Sequence, residues 1–227
     1  MDMELEKMWP PFAVRIHASD GKQSISMRVM RDTDIAAING VTPEEIYGAE
    51  IPQHAFGWLF DGDPYASARM RWEHRARMSP AEWSLDFVVR MDQEIIGVVD
   101  MRGSEFAVHK EVSTGSWIYH RHQGKGLGTL VRHAVAGFCF GELGAQTLST
   151  GWVQGNHASE RVSMKLGYEL YDAGLAATLP CGPEKIELPI RRARLARDRY
   201  NNAGYTVTVD GITGALRKQL GASPSAA

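Results

Sequence analysis

The stretch "HRHQGKGLGTLVRHAVAGFCF", residues 120–140, places three glycines within five positions directly before an apolar helix pattern. Gly124, Gly126 and Gly128 let successive backbone N–H groups converge, because glycine has no Cβ atom. A helix that begins after them adds unpaired N–H groups and the positive end of its dipole. Lys125 and Thr129 add a cation and a hydroxyl at the same place. The stretch therefore predicts an anion-binding loop at a helix N-terminus.

Two common phosphate-binding patterns do not fit this loop. The dinucleotide pattern G-x-G-x-x-G requires a third glycine where this sequence has Thr129. The Walker pattern requires Ser or Thr after Gly-Lys, whereas Gly124 and Lys125 are followed by Gly126. The loop also follows antiparallel strands instead of a first parallel strand. From the loop alone, a pyrophosphate site and a glycine-rich turn without a ligand both remain open.

The rest of the chain predicts an α/β fold of the α+β kind. In the helix expected over 130–143, apolar side chains recur at i, i+4 and i+8, and Gly144 ends the helix. Further helices are expected at 32–41, 65–78 and 157–167, a short helical turn at 79–83 and loops over 41–64. Strands are expected at 25–30, 84–90, 95–101, 114–120, 146–153, 168–172, 184–192 and 204–211. The second and third strands form a hairpin through residues 91–94. Such an order predicts a central mixed, mostly antiparallel sheet flanked by helices.

Composition and charge exclude several classes of protein. A chain of 227 residues with 44% apolar residues can bury a sizeable core, and we expect one large domain. A net charge of −2 argues against a nucleic-acid partner. Cys139 and Cys181 do not make a disulfide framework, and no Cys/His/Asp spacing predicts a metal site. Without a signal-peptide pattern or an apolar run of roughly 20 residues, we expect a cytoplasmic protein and no membrane partner.

Two motifs in the second half of the chain resemble those of a known superfamily. Gln123, Gly126 and Gly128 form "Q-x-x-G-x-G" after a strand and at the start of a helix. About thirty residues later, "GWVQGNHASERVSMKLGYEL" (151–170) carries Asn156 and Ser159 before "KLGY". Together they resemble the coenzyme A loop and the following helix of the GNAT N-acyltransferase superfamily. "GSWIYHRHQGKGLGT" (115–129) is similar to the RimJ/RimL branch. "WPPFAVRI" and "VTVDG" resemble an actinobacterial group associated with acetyl-CoA and succinyl-CoA.

This resemblance implies a fold, a domain plan and a set of cofactor contacts. It implies a GNAT fold in which strands 4 and 5 splay apart and the thioester lies in the gap. The expected segments are an N-terminal extension (1–24), the acyltransferase domain (25–195), a C-terminal extension with an added strand (196–220) and a disordered tail (221–227). Backbone of the loop would hold the pyrophosphate, and the strand end would pair with the pantetheine amides. These residues are Gln123, Gly124, Lys125, Gly126, Leu127, Gly128 and Thr129, with Trp117, Ile118 and Tyr119 on the strand. Asn156 would bind the pantetheine arm, and Ser159 would donate a proton to the leaving thiolate.

The sequence departs from the family where the usual acid and base stand. Ser113 occupies the position of a glutamate base found in many RimJ/RimL members, and Ser163 occupies that of a common tyrosine acid. We expect Asp100 to be the base, because it ends a hairpin strand and should lie near Thr114. A carboxylate that only caps a turn remains an alternative. Glu105 and Glu111, in the preceding loop, are further candidates or are simply solvated. His120 and His122 flank the glycine loop, where they would contact a phosphate or be only exposed.

The acceptor and the acyl group are left open by the sequence. Residues 56–72 carry aromatic and acidic side chains that would suit a cationic amine. A succinyl carboxylate would require cations such as Arg69, Arg71 and Arg75. We expect an acyltransferase that moves acetyl or another short acyl group to a primary amine of a small molecule or peptide. An antibiotic-modifying enzyme, a protein lysine or N-terminal acyltransferase and a non-catalytic acyl-CoA-binding module remain alternatives. A homodimer through the strand at 204–211 is also open.

Overall fold

The computed structural model describes residues 2–171, 174, 176–181 and 184–222, which form ten strands and eight α-helices. The strands are β1 Arg15–Ser19, β2 Ser24–Val29, β3 Glu82–Met91, β4 Glu94–Ser104, β5 Glu111–Ile118, β6 Thr147–Val153, β7 Glu169–Tyr171, β8 Ala176–Cys181, β9 Glu184–Ala196 and β10 Thr206–Asp210. The helices are α1 Asp2–Met8, α2 Asp32–Ile38, α3 Pro43–Tyr47, α4 Ala66–Arg77, α5 Phe106–His109, α6 Leu127–Ala136, α7 His157–Lys165 and α8 Gly214–Gln219. A π-helical segment, Gly137–Glu142, continues α6.

One sheet organises the described residues. Its strand order is β10-β1-β2-β3-β4-β5-β6-β9-β7, and β8 forms a hairpin with β9. Each pairing in this sheet is antiparallel except that of β5 with β6, which α6 connects as a strand–helix–strand unit. The predicted mixed, mostly antiparallel α/β sheet is therefore confirmed.

Helices cover both faces of the sheet. The apolar stripe of α6 is at most 1% exposed and packs into the larger core on one face. Burial of each leucine, valine or phenylalanine side chain in this stripe stabilises the fold by about 1.5–3 kcal/mol. On the other face, α2 and a smaller apolar cluster lie beneath α4. The stripe is formed by Leu130, Val131, Ala134, Val135 and Phe138.

The β3–β4 hairpin shows how local sequence determines register. In both strands, buried apolar residues either alternate with polar ones or follow one another directly. In the turn between the strands, Asp92 has φ of +54°. The connection is Asp92–Gln93, two residues shorter than the predicted loop 91–94 because Met91 and Glu94 already pair. The ladder shifts between Val89 and Arg90. The hairpin places Asp86 directly opposite Asp100.

Several element predictions were wrong at their boundaries or type. Residues 15–19 form β1, although the first strand was expected at 25–30, and residues 176–181 form β8 where none was expected. Ser79 bonds Glu82 in a tight turn that starts β3, so the predicted helical turn at 79–83 is absent. The expected loop 41–64 contains α3 and a 3-10 turn at Gly57–Phe60.

The sheet crosses the predicted domain boundaries at both ends of the chain. β10, the added strand expected in 204–211, pairs with β1 of the same chain and lies at the sheet's edge. The boundaries themselves, and a dimer through β10, stay predictions. Of the expected tail, residues 223–227 lie outside the described residues, and so does the side chain of Cys181. Cys139 is a buried free thiol.

Candidate active site

Two neighbouring strands separate part-way along their length. β5 and β6 pair in parallel only as far as Thr114↔Thr150. Beyond that pair, β5 stays on β4 and β6 stays on β9, so a gap opens between residues 115–118 and 151–153. The first strand predicted from the sequence is β2, so β5 and β6 are the fourth and fifth predicted strands. The gap between them is therefore the predicted splay.

A buried guanidinium bridges the two strands where they separate. Arg132 of α6 is 4% exposed and donates to the hydroxyls of Thr114 and Thr150, the latter at 3.0 Å. Each threonine hydroxyl donates in turn to a backbone carbonyl of the opposite strand. These hydrogen bonds join β5 and β6 at Thr114 and Thr150, their last paired residues, and so determine where the gap begins. Sequence reasoning missed Arg132, because one arginine in an apolar helix gives no sign of its partners.

The glycine loop leads from the open end of β5 into α6. Gly124 and Gly126 have φ of +74° and +84°, a left-handed conformation that glycine adopts without strain. Gly126 is the N-cap residue of α6. Within the described part of the chain, the N–H groups of residues 124–128 have no protein acceptor. Consecutive free donors at a helix N-terminus favour the binding of an anion such as a pyrophosphate.

Side chains on three sides brace this loop. The Nε2 of Gln123 lies 2.7 Å from the carbonyls of both Ile46 in α3 and Ile118 at the end of β5. Gln23, in the turn before β2, donates to the carbonyl of Lys125 at 2.9 Å. The Nζ of Lys125 donates at 2.8 Å to a carbonyl of the preceding turn. The side chains of Gln123 and Lys125 therefore hold the loop, which leaves its backbone for a ligand.

Of the other residues on β5 and α6 that were predicted to bind coenzyme A, some border the gap and others are buried in the core. Trp117 and Ile118 end β5 and border the gap. Tyr119 uses its N–H and its carbonyl in other backbone hydrogen bonds. Leu127 and Thr129 are buried in the first turn of α6. Their contacts with coenzyme A stay predictions.

The start of α7 places Asn156 and Ser159 together. The Oδ1 of Asn156 accepts the N–H of Ser159 at 3.0 Å, so Asn156 caps the helix. The Ser159 hydroxyl makes no hydrogen bond within the described residues. Ser163 is fully buried and donates to the Ser159 carbonyl at 2.9 Å, so it cannot reach a ligand. The position of the usual tyrosine acid is therefore closed in this chain.

Asp100 belongs to a cluster of charges on the α4 face of the sheet. It lies opposite Gly115, where a Cβ would stand 2.8 Å from its Oδ1, and is therefore near Thr114, as expected. Arg102 pairs with its other oxygen at 3.0 Å. Burial raises the pKa of Asp100 against the lowering effect of Arg102, and the charge of Asp86 raises it further.

A histidine outside the predicted site joins this cluster. The Nδ1 of His74 in α4 lies 2.9 Å from Asp86 Oδ2, and Asp86 is 7% exposed. His74 and Asp86 are twelve residues apart on different elements, so no sequence motif signals their contact. Their proximity results from the packing of α4 on β3.

A cavity of about 670 Å³ opens beside this cluster, between α4 and the ends of β3, β4 and β5. His74 and Ser113 lie on its walls, and Ser113 is the lining residue of β5 that is nearer to the gap. Its acidic lining residues are Glu73, Glu82 and Glu111. The predicted acceptor wall, residues 56–72, does not line it.

The arginines expected to hold a succinyl carboxylate are bound elsewhere. Arg69 pairs with Asp63, and Arg75 pairs with Asp32 at 2.5 Å. Arg71 is buried and donates to Ser67 within α4. The side chains of Arg69, Arg71 and Arg75 are therefore committed to packing α4 and the loop before it.

The model of the Acetyltransferase (GNAT) domain family matches residues 25–169. The chain belongs to the GNAT acetyltransferase family. The predicted superfamily is confirmed, and with it an N-acyltransferase that uses coenzyme A. Loop, splay and helix α7 occur in the order that this family requires.

Solved structures of this family share the fold at low sequence identity. RimJ of Mycobacterium smegmatis, in complex with CoA-disulfide, is 16% identical with a TM-score of 0.60, over 84% of this chain and 89% of RimJ. RimL, a ribosomal α-N-protein acetyltransferase in complex with coenzyme A, is 12% identical with a TM-score of 0.61, over 80% of this chain and 98% of RimL. Spermidine N-acetyltransferase of Vibrio cholerae, in complex with CoA and spermine, is 15% identical with a TM-score of 0.58, over 78% and 97%.

The described residues contain neither a membrane-spanning helix nor a metal-binding cluster. No helix among them is long and apolar enough to cross a bilayer. Within the same residues, no group of three or more His, Cys, Asp or Glu side chains could hold a metal ion.

Proposed function

We propose that this GNAT enzyme transfers an acetyl group from acetyl-CoA to a primary amine by direct attack. The observation that carries the proposal is that the loop with the free N–H groups of residues 124–128 follows the end of β5 that borders the gap. The N–H groups suit a pyrophosphate, and the unpaired edge of β5 suits the amides of a pantetheine arm. The fit supports coenzyme A as the carrier of the acyl group.

Acetyl is favoured over succinyl by the charges on the α4 face. The predicted succinyl-binding arginines already pair with side chains or helix carbonyls. A terminal carboxylate would therefore have to break existing ion pairs in order to bind there. Succinyl-CoA remains the alternative donor that the experiment below must test.

The α4 cavity is the proposed acceptor site. It reaches Ser113 on β5, two residues before the gap begins at Gly115. Its acidic residues suit an amine that arrives as an ammonium ion. Glu82 makes no ion pair within the described residues, which leaves its charge available to an acceptor. Ser159 is the proposed proton donor to the thiolate, and the charge cluster around Asp100 is where we place the proton acceptor from the amine.

A transfer assay tests the proposal. Thiol release from acetyl-CoA and from succinyl-CoA is followed with spermidine and with a tripeptide carrying a free N-terminus, since structural neighbours act on a polyamine and on ribosomal protein. We expect amine-dependent thiol release with acetyl-CoA and an acetylated product by mass. Binding of acetyl-CoA without transfer to any amine in a broad panel would favour a non-catalytic acyl-CoA-binding module.

A further inference from the structure

We propose that His74, held by Asp86, is the general base of this enzyme. The proposal rests on the proposed acyl transfer and extends it to a residue that no sequence motif marks. It assigns the proton-accepting atom to Nε2 of His74 at the wall of the α4 cavity. Asp100 then acts through Asp86 and not directly on the amine.

The geometry around His74 fixes its tautomer. Its Nδ1 lies 2.9 Å from a carboxylate oxygen of Asp86, which can only accept while ionised, so Nδ1 carries the proton in the neutral ring. Nε2 is left unprotonated, and it has no protein partner within the described residues. Because His74 lines the cavity, this lone pair is accessible to an amine bound there. The arrangement is that of a carboxylate that orients an imidazole base.

Two carboxylates lie close to the His74 ring. Asp86 is 7% exposed and lies opposite Asp100 in the β3–β4 ladder. The carboxylates of this cross-strand pair both lie near the imidazole ring. The other charged groups near the ring are Arg71, Glu73, Arg75 and Arg77 on α4, Glu82 on β3, Arg102 on β4, His109 on α5 and Glu111 on β5.

Asp100 is less suited to be the base itself. It does not line the cavity, and its Oδ2 pairs with Arg102 at 3.0 Å. Its Oδ1 is directed at Gly115 within the sheet. Ser113, which stands where the family often has a glutamate, offers no carboxylate on the cavity wall. Among the described cavity residues, His74 alone combines a free basic nitrogen with a buried carboxylate partner.

The proton balance of the transfer is complete with His74 as base. The ammonium of the acceptor loses one proton to Nε2, and the amine nitrogen then bonds to the acyl carbon. The carbon–sulfur bond breaks with its electron pair on sulfur. The second amine proton reaches the thiolate, for which Ser159 is the proposed carrier. His74 returns its proton to water, so each transfer releases one proton.

The first test measures the tautomer and needs no acceptor. Long-range ¹H–¹⁵N NMR of the full ¹⁵N-labelled chain should show neutral His74 protonated at Nδ1, and Asp86→Asn should shift the proton towards Nε2. Neutral His74 protonated at Nε2 in the wild type would overturn the proposal, because that nitrogen would then be a donor to the cavity.

The second test is kinetic and uses a matched histidine control. Initial rates of thiol release from acetyl-CoA with spermidine and with the tripeptide are measured from pH 5.5 to 9. General-base catalysis typically contributes about 10²–10⁴-fold, so His74→Gln should lower kcat/KM by that factor and remove its fall at acidic pH. His17→Gln, at an exposed position of β1, should leave both the rate and its pH dependence unchanged.

Two controls separate this proposal from the proposed function. His74→Gln should keep the melting-temperature rise that acetyl-CoA gives the wild type. If His74→Gln is slower but its kcat/KM still falls at acidic pH, His74 has a structural role and the proposal is overturned. Full activity in His74→Gln, together with loss of activity in Asp100→Asn, would also overturn it. If the wild type binds acetyl-CoA but acetylates neither probe, the proposed function fails for those acceptors, and the tautomer measurement alone decides for His74.

Discussion

Replacement of Gly126 by alanine should weaken coenzyme A binding more than it weakens the fold. Gly126 has φ of +84° at the N-cap of α6, and an added Cβ would find only Gln23 Nε2, at 3.5 Å. The new methyl group therefore meets no clash. Its cost is the left-handed backbone, about 1–2 kcal/mol, partly offset by about 0.4–1 kcal/mol from the stiffer unfolded chain. The loop can relieve this strain by leaving the left-handed region, and its N–H groups would then turn away from the ligand.

The expected magnitudes separate the two effects. A net cost of about 1 kcal/mol lowers Tm by about 2–4 °C in a domain of this size. Loss of one N–H contact to a charged phosphate costs about 1.5–3 kcal/mol, which weakens binding by about 10- to 150-fold. At a ligand concentration of about 100 Kd for the wild type, binding stabilises by about 2.7 kcal/mol. The variant should retain no more than about half of that stabilisation.

Gly204→Ala provides the matched control. Gly204 has φ of +83°, and a Cβ there would meet nothing within 4 Å, in the loop before β10. Thermal shift without ligand should show the same loss of Tm in both variants. With acetyl-CoA, Gly204→Ala should gain the full wild-type shift. An equal ligand shift in Gly126→Ala and Gly204→Ala would refute the role of the loop backbone.

Two pH-dependent predictions concern buried groups. Burial lowers the pKa of His133 to about 4 from 6.5, so the folded state excludes a proton that the unfolded chain binds. Stability present above pH 6.5 is therefore lost as pH falls towards 4, by about 3 kcal/mol, and His133→Gln should flatten that slope in urea unfolding. A slope unchanged by the substitution would contradict this assignment. Because the pKa of Asp100 is raised, its ionised form destabilises the folded state. Asp100→Asn should therefore have a higher urea midpoint than the wild type at pH 8. The difference between the two midpoints should disappear as pH falls through and below the folded pKa of Asp100. A lower midpoint at pH 8 would mean that the Arg102 pair outweighs burial.

Local sequence patterns were sufficient to predict the glycine loop, the helix after it and the β3–β4 hairpin. The stripe of α6 and the glycines before it depend on neighbours in sequence, and they occur where the pattern predicts. β1, in contrast, is short and half polar, and it becomes a strand because β2 and β10 pair on either side of it. α3 carried a readable signal that was overlooked, with Thr42 as N-cap, Pro43 in the first turn and Glu45 bonding back to Thr42.

The charge cluster of His74, Asp86 and Asp100 depends on register and packing that local sequence does not encode. The sequence placed Asp100 near Thr114, and the β4–β5 pairing sets it opposite the next residue, Gly115. It gave no sign of the register that sets Asp86 directly opposite Asp100. His74 reaches Asp86 only because α4 crosses β3 at that point. Arg132 likewise finds its threonine partners only after β5 and β6 pair.

Hydrogen–deuterium exchange with and without acetyl-CoA tests the central claim most directly. The claim is that coenzyme A binds along the gap, with its pyrophosphate on the loop backbone. Acetyl-CoA should slow exchange at residues 115–118 and 123–129, whose N–H groups include the free donors of the loop, and should leave β1 and β10 unchanged. Saturating acetyl-CoA that protects other residues while 123–129 exchange at their free rate would contradict the account.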